Sequence, residues 1–198
     1  MGEQDKLLLP WKDKTIIEHL LQVAAGVENM EVLVVTGSLE VVKKAAQLGI
    51  ESRIPQGEPS QSNSLKTGLT NLPNKGMKGI FFILGDQPFI NAELLINMQR
   101  AYNYLEKVGS ARNIVVPFYH QQRGNPVLFS IDYLDSFYAI AGDQGARSIL
   151  QAHNKHVFRL KVDNSEMLID IDTPEDYQQA IKRFPVIKEE SIAKLGVK

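Results

Sequence analysis

Gly79-Ile80-Phe81-Phe82-Ile83-Leu84-Gly85-Asp86-Gln87-Pro88 is a run of five apolar residues between two glycines, ended by a carboxylate, an amide and a proline. Consecutive β-branched and aromatic residues predict a strand covered on both faces, as parallel strands are. In open α/β sheets ligands sit beyond the carboxyl ends of the strands, so Asp86 is placed to face a site. Gly85 removes a side chain where a ligand could approach the backbone. Asn91 is a cap for the next helix, to about Lys107, with Glu93 in its positive first turn. The competing reading is a simple strand-ending turn, because Gly, Asp and Pro are ordinary turn residues.

The segments on either side repeat the same alternation. Upstream, Thr15-Ile16-Ile17-Glu18 is a capping box for a helix to about Ala25, ended by Gly26. Residues 31–36 form a strand, followed by Gly37-Ser38 and a helix to about Leu48. A short strand at 51–54, a polar loop and a helix beginning near Ser62 to Ser64 lead back to Gly79. Downstream, strands are expected at 113–118, 125–129 and 156–162, helices at 133–140 and up to His153, then a short strand at 167–172 and a helix at 174–183. Strands alternating with helices predict an α/β fold, and the changed second half predicts a mixed, mostly parallel sheet with an antiparallel part. Residues 1–184 read as one domain and 185–198 as a charged tail.

The totals exclude several classes of function. The 198 residues contain no cysteine, which removes disulfides, thiolate metal sites and cysteine nucleophiles and is compatible with a reducing cytoplasm. Lys plus Arg number 22 against 23 Asp plus Glu, so nothing argues for general binding of nucleic acid or of a membrane surface. No apolar run approaches the ~20 residues needed to cross a bilayer. His153 and His156 have zinc-like spacing without companions, and no Walker loop, Gly-x-Gly-x-x-Gly or Gly-x-Ser-x-Gly elbow follows a predicted strand.

Two further carboxylates compare with Asp86. In Ile169-Asp170-Ile171-Asp172 the period of two sends both aspartates to one side, about 7 Å apart. Either Asp172 caps the last helix, or Thr173 does, with Pro174 at the first helical position and both aspartates free for a ligand. Asp86 and one of this pair could hold Mg²⁺, which takes one or two carboxylates plus substrate phosphates. Lys6 is the natural cationic partner, although a lone lysine near a terminus is more often a solvated charge.

Seven segments in this order resemble the MobA-like nucleotidyltransferases, most closely the molybdenum-cofactor cytidylyltransferase branch. They are Met1-Gly2-x-x-x-Lys6-Leu7-Leu8-Leu9-Pro10, Val34-Val35-Thr36-Gly37, Ser64-Leu65-Lys66-Thr67-Gly68-Leu69, Leu84-Gly85-Asp86-Gln87-Pro88, Arg123-Gly124-Asn125-Pro126-Val127-Leu128-Phe129, Gly142-Asp143-Gln144-Gly145-Ala146-Arg147 and Asp170-Ile171-Asp172-Thr173-Pro174-Glu175-Asp176. The resemblance implies a Rossmann-like α/β/α fold and transfer of CMP from CTP to the terminal phosphate of a molybdopterin, with release of pyrophosphate. Lys6 would neutralise the triphosphate and Asp86 would bind Mg²⁺, with Asp170 or Asp172 as a second metal contact. Gly2, Gly37, Ser64 and Gly85 would lie along the nucleotide, and Arg123, Asn125, Asp143 and Gly145 towards the acceptor.

A guanylyl or other nucleotidyl transfer, to the pterin or to a sugar or polyol phosphate, is the near alternative. A non-catalytic cofactor carrier is the distant one. Either fits a cytoplasmic protein that serves a molybdenum hydroxylase or its chaperone. Family members carry an apolar strand and a Leu-Ala-Ala-Gly-x-Ser-x-Arg loop before the Met-Gly that is here residues 1 and 2. The expectation that follows is that Met1 is internal to a longer natural protein.

Overall fold

The computed structural model describes residues 5–57, 60–72, 76–142 and 145–183. A 3₁₀ turn at Lys6–Leu8 leads into a hairpin of β1 (Pro10–Trp11) and β2 (Lys14–Thr15), then α1 (Ile16–Ala25), β3 (Leu33–Val35), α2 (Leu39–Gln47), β4 (Glu51–Arg53) and α3 (Gln61–Leu69). The second half comprises β5 (Gly79–Phe82), α4 (Ala92–Lys107), β6 (Ile114–Tyr119), β7 (Gln122–Arg123), β8 (Val127–Ser130), α5 (Leu134–Ala139), α6 (Ala146–Ala152), β9 (Val157–Lys161) and α7 (Pro174–Arg183). The expected tail at 185–198 lies outside the described residues, as do Gly2 and Asp143.

The sheet is mixed. β8 lies between β5 and β6 and opposes both, and β9 runs parallel to β6 on its other side. β5, β6 and β9 therefore point the same way, and only β8 and the two-residue β7 run against them. β3 and β4 form a separate parallel pair. Among the described residues β3 bonds only to β4 and β5 only to β8, and one wall of a cleft of about 2050 Å³ is lined by each.

Alternation along the strands sorts the side chains into two layers. Ile80, Phe82, Ile114, Val116, Val127 and Phe129 meet Leu69 of α3, Phe137 of α5 and Ile149 and Leu150 of α6. Phe81, Val115 and Leu128 face the opposite way, against Leu94, Met98, Tyr102 and Leu105 of α4. The result is the Rossmann-like three-layer arrangement expected from the sequence.

Local signals explain most element ends. Asn91 Oδ1 accepts from Leu94 N at 2.9 Å, as anticipated for α4. Ser60, rather than Ser62, Asn63 or Ser64, caps α3 by accepting from Asn63 N at 3.1 Å. Thr15 and Glu18 close the predicted capping box: Glu18 N donates to Thr15 Oγ1 at 3.3 Å and Thr15 N to Glu18 Oε2 at 2.9 Å. Thr15→Ala should cost about 1 kcal/mol of stability. A urea midpoint unchanged by the substitution would contradict that.

Two expectations need correction. Residues 167–172 do not form a strand: Ser165–Leu168 is a 3₁₀ turn, and the extended segment after it makes one backbone bond to the sheet region, Ile171 N to Asp86 O at 3.0 Å. β5 is only half-buried rather than covered on both faces, and Leu84 just beyond it is 46% exposed, because the cleft runs along this strand.

The apolar start of the chain also finds its place. Leu9 and Trp11 are buried with Ile16, Ile171 and Ala180, and Tyr177 donates to Pro10 O at 2.6 Å, so α7 holds the opening hairpin.

Candidate active site

Asp86 follows β5 at the carboxyl end of the sheet, as its place in the sequence required. Ile171 is fully buried and its N–H is tied to Asp86 O, which brings the 169–172 segment alongside. Thr173 caps α7: Asp176 N donates to Thr173 Oγ1 at 3.1 Å, and Thr173 N donates to Asp176 Oδ2 at 2.8 Å. This settles the open question about the cap and leaves Asp170 and Asp172 free of that duty.

Lys6 joins the carboxylates. Its ammonium donates to Asp86 Oδ2 and to Asp172 Oδ1, both at 2.6 Å. Asp5 shapes the turn that presents it, accepting from Leu7 N at 3.0 Å. Burial pulls the Lys6 pKa down, but the hydrogen bonds to Asp172 and Asp86 and their charges outweigh it and hold it above the ordinary lysine value. The ammonium therefore stays charged where a cation is needed.

Asp170 enters the group by another route. Gln87 is almost completely buried, and its side-chain amide donates to Asp170 Oδ1. Burial raises the Asp170 pKa, the bond from Gln87 lowers it, and the charges of Asp86 and Asp172 raise it further, for a net upward shift. Gln87 stands inside the quoted motif but had no role in the sequence reading. Its partner lies 83 positions away, so the pairing had no local signal.

The site fits a divalent cation. Asp86 Oδ1 is buried and has no hydrogen-bond partner, while Lys6 lies between two carboxylates where a metal's charge would be favoured. Among the described residues no three acidic or imidazole groups are arranged to hold a metal ion by themselves. A cation here would draw its remaining ligands from phosphate and water, the pattern Mg²⁺ favours.

The cleft between β3 and β5 adjoins this group through Gly85. Gly37, Ser64, Arg123, Asn125 and Gly145 line it as well, so these sequence-predicted residues share one space. Ser64 is free to face it because Ser60 caps the helix. A Cβ on Gly37 would meet nothing within 4 Å, whereas one on Gly85 would lie 3.3 Å from Leu7 Cδ1 and 3.6 Å from Ile17 Cδ1. A side chain at 85 would therefore have to push Leu7 aside by a few tenths of an ångström.

Burial, together with the charges of Lys12 and Lys14, lowers the His19 pKa below its ordinary 6.5. A depressed histidine contributes stability above its unfolded pKa, and that stability is lost as pH falls through the folded value. His19→Gln should therefore flatten the fall in stability between pH 7 and pH 5, read as urea midpoints at each pH. A slope equal to the wild type's would refute this.

A family profile described as MobA-like NTP transferase domain matches residues 1–157. No curated protein matches the chain in sequence. Among solved structures, Rv0371c from Mycobacterium tuberculosis H37Rv is 26% identical, with a TM-score of 0.73 and coverage of 91% of this chain and 90% of that one. Rv0371c in complex with manganese aligns at 24% identity and a TM-score of 0.70, over 91% of this chain and 93% of that one. A cytidylyltransferase from Leptospira borgpetersenii shares the fold at 19% identity and a TM-score of 0.72, over 90% of this chain and 80% of its own.

Proposed function

The chain belongs to the MobA-like NTP transferase family, and from that premise we propose that this nucleotidyltransferase moves CMP from CTP to the terminal phosphate of a molybdopterin-type acceptor. The observation that carries the reading is the convergence of Lys6, Asp86 and Asp172 at the end of β5, beside a cleft large enough for two substrates.

In this proposal Asp86 and Asp172 hold Mg²⁺, with Asp170 behind them under the control of Gln87. The ion supplies Lewis-acid stabilisation of charge on the phosphate oxygens. The manganese complex of Rv0371c supports a divalent cation in this fold. Lys6 would exchange a carboxylate partner for phosphate and neutralise the triphosphate. An acceptor phosphate oxygen attacks the α-phosphorus; that O–P bond forms as the bond to the β-phosphate oxygen breaks, and pyrophosphate leaves. Most of the catalytic effect in such transfers is positioning and charge stabilisation.

In this reading Gly37, Ser64 and Gly85 lie along the nucleotide; Gly2, outside the described residues, is assigned to the nucleotide by the family resemblance alone. Arg123, Asn125 and Gly145 lie towards the acceptor in this reading; Asp143, outside the described residues, is assigned there by the family resemblance alone. The Gly85-Asp86-Gln87-Pro88 sequence is the reason for favouring cytidylyl over guanylyl transfer. Cytoplasmic delivery to a molybdenum hydroxylase or its chaperone fits the absence of cysteine. Among the described residues no helix is long and apolar enough to cross a membrane.

Calorimetric titration with CTP and with GTP, each with and without Mg²⁺, tests the proposal. Mg²⁺-dependent CTP binding is the expected result. Preference for GTP would overturn the choice of base, and metal-independent binding would overturn the assignment of Asp86 and Asp172.

A further inference from the structure

Arg123 and Arg147 converge on the same cleft from different parts of the chain, one on β7 and the other in the first turn of α6. Neither guanidinium has a hydrogen bond or an ion pair among the described residues. Other arginines nearby are engaged. Arg53 donates to Gly68 O at 3.2 Å and to Glu51 Oε1 at 2.8 Å, and Arg159 lies 3.9 Å above the Phe118 ring.

Close packing flanks both arginines. Gly124, next to Arg123, is buried so tightly against Met167 and Leu168 that a Cβ would overlap the Met167 methyl. Gly145, two residues before Arg147, has the Gln61 side chain in the space of its Cβ. Ser62 N, on α3, donates to Gly142 O at 3.3 Å. These contacts seat two like charges near each other: burial lowers the Arg123 pKa, and the charge of Arg147 lowers it further. Two unpaired cations placed near each other are unfavourable unless an anion joins them.

We propose that Arg123 and Arg147 together clamp a phosphate group, the terminal phosphomonoester of the acceptor, with Asn125 on the same wall able to add an amide donor. Guanidinium forks match phosphate oxygens in pairs, which a lysine cannot do. The assignment rests on the cleft being the substrate cleft proposed above, and it adds Arg147, which had no role there.

Methyl phosphate is the probe, followed by ³¹P NMR titration against the full chain. Arg123→Gln and Arg147→Gln should each weaken its binding by about 10-fold or more, as expected for loss of hydrogen bonds to a charged group. Arg147→Lys should fall between, and Arg159→Gln should match the wild type. CTP affinity in the presence of Mg²⁺ should stay within about threefold in all four variants, since single surface charges change binding modestly.

Unchanged methyl phosphate binding in both glutamine variants would overturn the clamp. So would equal weakening by Arg159→Gln, which would show a diffuse charge effect. A parallel loss of CTP affinity in the Arg123 and Arg147 variants would assign the pair to the nucleotide's phosphates and overturn the acceptor assignment. Arginine-dependent methyl phosphate binding in a protein that does not bind CTP would sustain the clamp while the cytidylyl reading failed.

Discussion

If Asp86 holds the metal ion as proposed, Asp86→Asn should lower nucleotidyl transfer by about a thousandfold, since a metal-bound carboxylate supplies several kcal/mol of charge stabilisation at the transition state. The substitution is nearly isosteric and leaves Asp86 O free to accept from Ile171 N. The fold should therefore persist, with the urea midpoint close to that of the wild type. Two changes follow at the site. The buried Oδ1, which has no protein partner, is no longer a charged ligand, or it becomes an amide with nothing to receive its hydrogens. Lys6 keeps only Asp172 as an anionic partner, and Asp172 is 65% exposed and screened by water. Mg²⁺-dependent binding of CTP should disappear with the activity. Transfer within tenfold of the wild type would remove Asp86 from the metal site.

Phe129→Ala has the largest expected effect on stability, about 3–5 kcal/mol. Phe129 is fully buried on β8, the strand between β5 and β6. Its ring makes edge contacts with Phe137 at 5.0 Å, Phe82 at 5.7 Å and Tyr133 at 5.9 Å between centroids. Truncation leaves a cavity walled by three aromatic rings that cannot all move inward. Against a typical total of about 5–15 kcal/mol, this removes roughly a fifth of the stability or more. Because β8 also braces β5, Asp86 would lose part of its support. A urea midpoint corresponding to a loss under 1 kcal/mol would mean that the rings close over the gap.

Much of this could be read from local sequence. The alternating strands, the Thr15–Glu18 box, the Asn91 cap and the helix spacing all act through near neighbours, so their patterns survive in one dimension. The 167–172 segment shows the limit of that approach. Ile169 and Ile171 alternate with aspartates as a strand would, but only Ile171 N finds a sheet-side partner, so the pattern of burial was read correctly and the ladder was not. Gln87 and Asp170 meet through folding alone, and Arg123 and Arg147 come to one cleft the same way. β7 has two residues and carries too little period to detect. Motif resemblance supplied most of the site list, and the geometry added how Lys6 is held and which residues stand behind it.

The gap along β3 and β5 also bears on amide exchange. A sheet that is hydrogen-bonded in two pieces can open in two steps, since local opening energies follow the bonds and burial of each piece. The β3–β4 pair is short, half-exposed and supported chiefly by α1 and α2. Its amides should exchange faster than those of β6 and β8, which share the fully buried Ile114, Val115 and Phe129. A nucleotide lying across the cleft would touch both pieces at once. Protection gained in β3 and β4 on adding substrate, with little change in β6, would then report how far the ligand itself completes the cooperative unit.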